Sequence, residues 1–354
     1  MKVIILTPTF FPKLTGNAVT AGRIARELSE EGIECRVIDL SVVGEAEVEL
    51  ATREFGPDLI HGFHAFKSGR IGLAIRDRLG IPMIMSLTGT DLHLDLKTRG
   101  QREAVLRVLT RSDRLTVFND SARRLLVREG IAQRKITVIH QSVSFPEVKE
   151  RDFRSELRIS RGTKVCLLMG GIRRVKNYGY AFPVLEKVRK NFPDLCLLIA
   201  GGVLEEEEFL RLKRKSSGRP WIIFLGEVSR EEVPSLFSCA DIVLNTSNSE
   251  SEANGILEAL SFGKLVVGRR ISGNASLLDG KTGFLFRNRH ELQEAILHIL
   301  QNKKEARQTG RRAKSFIASH FHRNREKADY LRLYHETADR RFSRGSRSMN
   351  HPIA

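Results

Sequence analysis

Short apolar runs alternate with amphipathic segments along most of this chain, and the alternation occurs twice. Residues 2–6, 35–40, 58–61, 82–87, 115–118 and 135–139 read as buried strands. Helical patterns fall between them, at about 17–31, 47–55, 67–79, 96–110 and 121–129. A charged segment at 141–160, carrying Pro146, interrupts the pattern and reads as a linker. Strands then resume at 165–169, 195–200, 221–225, 242–244, 264–267 and 282–286. Helices are expected at 178–190, 205–213, 230–237 and 253–262, and three more at 291–299, 304–319 and 323–339. Strand–helix alternation of this kind calls for a parallel sheet covered by helices on both faces. With 354 residues, 41% of them hydrophobic, the chain can build two such units. The expected fold class is therefore α/β, with two Rossmann-like doubly wound domains.

The chemically most specific stretch is 240–268, ADIVLNTSNSESEANGILEALSFGKLVVG. Ile242, Val243 and Leu244 lead into a polar loop, then a helix, then a return strand. Ser249 and Glu252 have capping-box spacing and predict the helix start there. Strand, polar loop and helix N-terminus in this order hold an anion or nucleotide in α/β proteins, because helix N–H groups converge on the loop. Glu250 on the loop and Glu258 on the helix bracket it. Ala253, Ile256, Leu257 and Leu260 form one apolar face, and Glu258 falls away from it, one turn beyond Asn254. Two such glutamates are more often a dipole-matched helix start and a solvated charge. The loop context raises them to candidates.

A glycine loop opens the second alternation: Gly170-Gly171-Ile172-Arg173-Arg174-Val175-Lys176-Asn177. Arg173 and Lys176 can grip two phosphates at once, one as a fork and the other as a point charge. Without an anion, a cationic helix start is electrostatically unfavourable. Gly201-Gly202 and Gly226-Glu227-Val228 end later strands on the same edge. In the first half, a loop rich in Pro and Thr ends at Gly16 and Asn17, a weak phosphate-loop signal. His61 and His64 stand at a strand end, where open α/β sheets place ligands. Ser86-Leu87-Thr88-Gly89-Thr90-Asp91 lies at the next strand end. A lone histidine is more often structural; two at one strand end point toward a site.

Composition narrows the classes. No apolar run is long enough to span a bilayer, and the first turns polar at Thr7-Pro8, too early for a secretion signal. Cys35, Cys166, Cys196 and Cys239 are scattered with no C-x-x-C spacing, which fits small core residues in a reducing, cytoplasmic compartment. Asp91 and Asp95 have the wrong spacing for a D-x-D metal pair, and no metal site is expected. The net charge of +17 is uneven, with 14 basic and 5 acidic side chains in residues 303–354. A basic surface suits sugar nucleotides, phosphorylated acceptors, anionic lipid or nucleic acid; a merely solvated tail is the bland alternative. The basic helix at 96–110, with Lys97, Arg99, Arg102 and Arg107, leaves three readings open. It could dock on an anionic membrane, bind a phosphorylated acceptor, or simply face water.

The Glu250-x7-Glu258 pair, set between a strand and Gly263-Lys264-x-Val266-Val267, resembles the family-4 retaining glycosyltransferases of the GT-B fold. Arg173 and Lys176 on their glycine loop resemble the phosphate grip of the same family. The likeness covers nearly the whole chain, most specifically 164–286. It implies two Rossmann-like domains facing across a cleft, with a terminal helix crossing back to the first. The implied layout is an acceptor-side domain at 1–145, a nucleotide-sugar domain at 146–318, a return helix at 319–339 and a basic flexible tail at 340–354. Residue by residue, the resemblance gives Glu258 the donor ribose, Glu250 the side of the transferred sugar, and Arg173 and Lys176 the diphosphate. Gly226 and Val228 would meet the nucleobase through their backbone. Asn254 and Gly255 would start the donor helix, and Gly16 would lie over the donor phosphate or the acceptor. Asn17, His61, His64, Thr88 and Asp91 are the acceptor-side candidates.

The chain departs from the family pattern in places. Ser251, Glu252, Ala253 and Asn254 replace the glycines that commonly follow the first glutamate, and Glu252 should turn away from the diphosphate. Thr88 stands where many members have a histidine; a hydroxyl carries no charge near neutral pH. A histidine contact would then come from His61, His64 or His93. Gly171 holds the usual arginine place, and the arginine comes at 173. This variant looks closest to a branch with selenosugar synthase-like and glycosyltransferase-1-domain proteins.

The implied reaction moves a hexose-type sugar from a nucleoside-diphosphate sugar, UDP-linked, to an acceptor the residues do not identify. It proceeds with retention and needs neither cofactor nor metal, because two cations stabilise the leaving diphosphate. Two rivals remain: a sugar-nucleotide epimerase or phosphorylase on the same scaffold, and a non-catalytic protein binding an anionic surface or nucleic acid. The joint presence of Arg173, Lys176, Glu250 and Glu258 argues against the second, and nucleic acid is not the expected partner. Peripheral association with an anionic membrane stays open.

Overall fold

In β1 (Lys2–Thr7), Val3, Ile4, Ile5 and Leu6 are all fully buried. A strand apolar on both sides is what a parallel sheet covered on both faces requires. The computed structural model describes residues 1–12, 15–145 and 147–345, with the backbone alone from residue 340 onward. Met1–Gln141, joined by the chain from Arg323 onward, forms one compact unit; Ser142–His322 forms the other. Pro146 and residues 346–354, most of the expected basic tail, lie outside the described residues.

The first unit continues with α1 (Gly16–Ser29), β2 (Glu34–Asp39), α2 (Glu45–Phe55), β3 (Leu59–Phe63), α3 (Arg70–Leu79), β4 (Met83–Ser86), α4 (Thr90–His93), α5 (Arg99–Arg111), β5 (Arg114–Val117), α6 (Asp120–Arg128) and β6 (Ile136–Val138). Its six strands are parallel, in the order β2-β1-β3-β4-β5-β6. The order turns back at β1, so the ends of β1 and β3 flank a crevice of the kind that binds ligands.

The second unit runs α7 (Phe153–Glu156), β7 (Lys164–Met169), α8 (Phe182–Val188), β8 (Leu195–Ala200), α9 (Glu206–Ser216), β9 (Ile222–Gly226), α10 (Val233–Cys239), β10 (Ile242–Asn245), α11 (Asn254–Ser261), β11 (Leu265–Arg269), α12 (Ser272–Ala275), β12 (Phe284–Phe286), α13 (Arg289–Gln301) and α14 (Lys303–His320). Its parallel sheet has the order β12-β11-β10-β7-β8-β9, and the direction reverses between β10 and β7. Side chains alternate strictly between two cores. Val165, Leu167, Leu198 and Val243 pack on one face; Cys166, Leu168, Leu197 and Leu244 pack on the other.

The last helix, α15 (Arg323–Gly345), belongs to the first unit. Tyr330, Leu333 and Tyr334 share a core with Val3, Ile5, Leu59 and Phe63. The expected return helix at 319–339 thus starts later and runs further. Residues 340–345 are helical in place of the expected tail.

Other differences have local causes. The expected helix at 178–190 is a 3-10 turn, Tyr178–Tyr180, followed by α8, because Pro183 in the first turn of α8 provides no N–H to continue an upstream helix. The basic helix at 96–110 begins only at Arg99, after two short turns. Residues 64–69 form a π turn at the head of α3. Among the described residues, no helix is long and apolar enough to cross a membrane.

Candidate active site

The strand order of the second unit sets the ends of β7 and β10 side by side, the switch point at which such sheets bind ligands. Gly170 and Gly201 follow β7 and β8 with φ of 123° and 148°. A Cβ on Gly201 would lie 2.1 Å from the Gly170 carbonyl oxygen, so glycine is required for these backbones to meet. The chain then makes a 3-10 turn, Arg174–Lys176. The loop after β10 is sewn to that turn. The Asn248 N–H donates to the Val175 carbonyl at 2.8 Å, and the Thr246 hydroxyl donates to the Lys176 carbonyl at 2.9 Å.

This stitching delivers the Lys176 ammonium to Glu250, Nζ to Oε1 at 2.6 Å. The Ser247 hydroxyl donates to the same oxygen at 2.7 Å. Burial pushes the Glu250 carboxyl up. The charge and hydrogen bond of Lys176, the Ser247 hydroxyl and the charge of Arg173 outweigh it and hold the group below the usual carboxylate range. Glu250 is therefore an anion at neutral pH. Arg173 makes no side-chain hydrogen bond or ion pair among the described residues, although its charge is felt at Glu250. Its guanidinium remains available for an incoming anion.

The expected capping box does not form. The N-cap of α11 is Ala253, and no side chain caps it. The loop is instead drawn toward Lys176 on one side and α12 on the other. Gly273 lies directly against it, and a Cβ there would come within 2.3 Å of the Glu250 carbonyl oxygen. Ser249 and Glu252 therefore lie before the helix rather than at its cap. Glu252 is buried, and Asn254 and Gly255 supply the first turn, the positive end of the helix dipole.

Glu258 is not a solvated charge. It is 5% exposed, and its Oε1 accepts a hydrogen bond from Arg230 at 2.5 Å. Arg230 stands on the loop after β9, just beyond Gly226, whose φ is 72°, and Val228, which is buried. All these loops leave the C-terminal edge of one parallel sheet. The structure thus joins Lys176 and Glu250 in direct contact, with the charge of Arg173 felt at Glu250, and links Glu258 to the loop of Gly226 and Val228 through Arg230.

The remaining candidates belong to the first unit. Gly16 and Asn17 open α1, whose N-cap is Thr15. His64, Thr88 and Asp91 come together at the ends of β3 and β4. The Asp91 carboxylate, fully buried, accepts the backbone N–H groups of Ala65, Thr88, Gly89 and Leu92. The His64 Nε2 meets the Thr90 hydroxyl at 3.0 Å, and His64 itself has a φ of 76°. His61 is a correction. It is fully buried, and its ring nitrogens meet the Tyr334 hydroxyl at 2.5 Å and the Ser86 hydroxyl at 2.6 Å. Alternation along β3 turns it toward α15, and burial pushes its pKa down to about 3. It is a neutral structural residue. Among the described residues, no group of three or more His, Cys, Asp or Glu side chains is arranged to hold a metal ion.

The family described as "Glycosyl transferases group 1" matches residues 149–316, and that described as "Glycosyl transferase 4-like domain" matches residues 36–141. The chain belongs to the family-4, group 1 glycosyltransferases. It is 24% identical over 329 residues to "Glycosyltransferase 1 domain-containing protein 1" of Xenopus tropicalis, covering 90% of this chain and 94% of that protein. Sucrose-phosphate synthase from Thermosynechococcus elongatus superposes with a TM-score of 0.82 at 16% identity, over 95% of this chain and 99% of that one. Anabaena HepE, solved with UDP and glucose, superposes with a TM-score of 0.79 at 17% identity, over 94% and 99%. Both likenesses show the GT-B fold. Family membership makes this glycosyltransferase an enzyme of transfer and sets aside the epimerase, phosphorylase and purely binding readings. Sequence reasoning on this family-4 enzyme missed Arg230, Ser247 and Gly273. Only Gly273 carried a signal, as the glycine of a turn into a helix.

Proposed function

We propose that this glycosyltransferase uses a nucleoside-diphosphate sugar, UDP-linked, and passes a hexose-type sugar to an acceptor with retention and without a metal ion. The observation that carries this reading is the Lys176–Glu250 contact beside an uncommitted Arg173, at the switch point of the second sheet. The unit Ser142–His322 holds the donor in this reading, and the first unit takes the acceptor. Arg173 and Lys176 face the diphosphate, and Glu250 lies on the sugar side. Glu258 accepts the ribose hydroxyls, Gly226 and Val228 meet the base, and Asn254 and Gly255 direct helix N–H groups at the phosphates. His64, Thr88 and Asp91 shape the acceptor side, together with Gly16 and Asn17. The UDP with which HepE was solved supports the choice of nucleotide.

Chemically, the bond between the anomeric carbon and the β-phosphate oxygen breaks with its electron pair going to that oxygen. An acceptor hydroxyl oxygen bonds to the anomeric carbon on the same face, and its proton leaves toward the departing phosphate. Charge develops on the diphosphate, and fixed cations in a partly buried site stabilise it without reorganising. Lys176 is already neutralised in part by Glu250, which holds its flexible stem in place.

Thermal melting with UDP, GDP and ADP, each alone, tests the donor. Ligand at 100 times its Kd adds about 2.7 kcal/mol of stability, and UDP is expected to give the largest shift. Radiolabelled UDP-hexoses should then yield free UDP and a new glycoside. No shift with any of the three would overturn the reading.

A further inference from the structure

We infer that Arg230 is a positioning residue that ties the donor-side carboxylate of Glu258 to the stretch where the chain enters the second unit. The inference rests on the reading of Glu258 as the acceptor of the donor ribose. Three contacts converge on one guanidinium. Nη1 donates to Glu258 Oε1 at 2.5 Å, and Nη2 donates to the Ser144 carbonyl at 3.2 Å. The plane lies over the Phe145 ring, 5.1 Å from its centroid. Phe145 in turn meets Phe262 edge-on at 5.2 Å, one turn beyond Glu258. The second unit begins at Ser142, so Ser144 and Phe145 are among its first residues.

The chemistry suits a tie. A guanidinium is a planar fork that serves a carboxylate and a carbonyl together while stacking on a ring; an ammonium supplies only the charge. The Arg230 and Glu258 side chains are 19% and 6% exposed, so salt screens the pair little. An ionised carboxylate has about four acceptor positions. Arg230 occupies one, and ribose hydroxyls can use others without displacing it. Donor binding therefore adds hydrogen bonds to a carboxylate whose orientation Arg230 fixes, and the same guanidinium passes that fixation to Ser144 and Phe145. Coupling of this kind is reciprocal: whatever steadies 144–145 also favours the donor.

Hydrogen exchange of peptides covering 142–145, with and without UDP, tests the tie in the wild-type protein, Arg230→Lys and Arg230→Ala. UDP is expected to slow exchange across this stretch in the wild type. Arg230→Ala should exchange faster there without ligand, lose the effect of UDP, and raise the donor KM about tenfold with little change in kcat. Arg230→Lys should raise the donor KM less than the alanine variant does, because the charge remains, yet exchange at 142–145 as fast as the alanine variant. The KM-against-kcat split and this separation by lysine are not expected of a residue that merely supports the fold. Equal exchange at 142–145 in the wild type and the variants, or full protection by UDP in Arg230→Ala, overturns the inference. Should UDP fail to bind the wild type, the donor reading falls, and the unliganded comparison still decides the tie. Should the alanine variant not fold, unchanged exchange in Arg230→Lys overturns it.

Discussion

The guanidinium of Arg23 and the carboxylate of Glu326 meet through two hydrogen bonds, 2.9 and 2.8 Å, with both side chains buried. They come from α1 and α15, 303 positions apart in sequence. Removing either partner strips a buried charge of both of these hydrogen bonds. Arg23→Ala or Glu326→Ala should each lower stability by about 3–5 kcal/mol in urea unfolding. The double variant Arg23→Met, Glu326→Leu should lose far less than the two single losses combined. Additive losses would show that the pair is not coupled.

Glu27 sits beside this pair and gives the molecule a pH dependence near neutrality. Burial raises its pKa, the charge of Glu326 adds to the rise, and Arg23, Arg323 and Arg26 counter it only in part, leaving it at about 7. Its ordinary value is 4.5, so between these values the folded chain holds a proton that the unfolded chain has released. Stability from this group therefore falls as pH rises from 4.5 to about 7, then levels off. Glu27→Gln should remove that slope and be the more stable protein at pH values above this window. Urea midpoints for both proteins on either side of the window check the sign.

The His61–Tyr334 contact predicts a defect of stability alone. Tyr334→Phe leaves a buried ring nitrogen without its partner, which costs about 1–3 kcal/mol. The melting temperature should drop while kcat and donor KM stay unchanged. A loss of kcat at full stability would return His61 to the reacting centre.

Lys176 predicts a kinetic defect with its own pH signature. Lys176→Met should lower kcat about 10²–10³-fold, as loss of one preorganised charge donor does elsewhere. Burial would then act on Glu250 with less opposition, so its carboxyl would rise from its present depressed position. Residual activity should fall as pH is lowered toward the carboxylate range, where the wild type, with Glu250 still ionised, changes little. A variant with the wild-type profile would separate Lys176 from Glu250.

Much of this was legible in the sequence, for identifiable reasons. Apolar runs such as Val3–Leu6 fix parallel strands because both faces are covered, and the β7 and β10 loops announce themselves by glycines, cations and paired acids. The same double burial hides direction. Nothing in β3 says that His61 points at α15, because residues on either face of such a strand are equally enclosed. The capping box failed because the loop before α11 answers to Lys176 and Gly273 rather than to its own helix. Arg230 left no local trace. Its partner lies 28 residues further on, and only the neighbouring strand ends of a folded sheet bring the two together. The helical run of α15 past residue 339 went unread because its Arg and Ser residues resemble a solvated tail.

The placement of Tyr330, Leu333 and Tyr334 against β1 and β3 has a consequence for biogenesis. A ribosome delivers the first sheet early and its covering helix last, after the whole of the second unit has emerged. Until then Val3, Ile5, Leu59 and Phe63 lack their lid, and the nascent chain presents a greasy flank to chaperones and to other nascent chains. A stop codon just ahead of Tyr330 would leave a polypeptide with every proposed donor contact intact, unable to close over the hydrophobic surface made at its start.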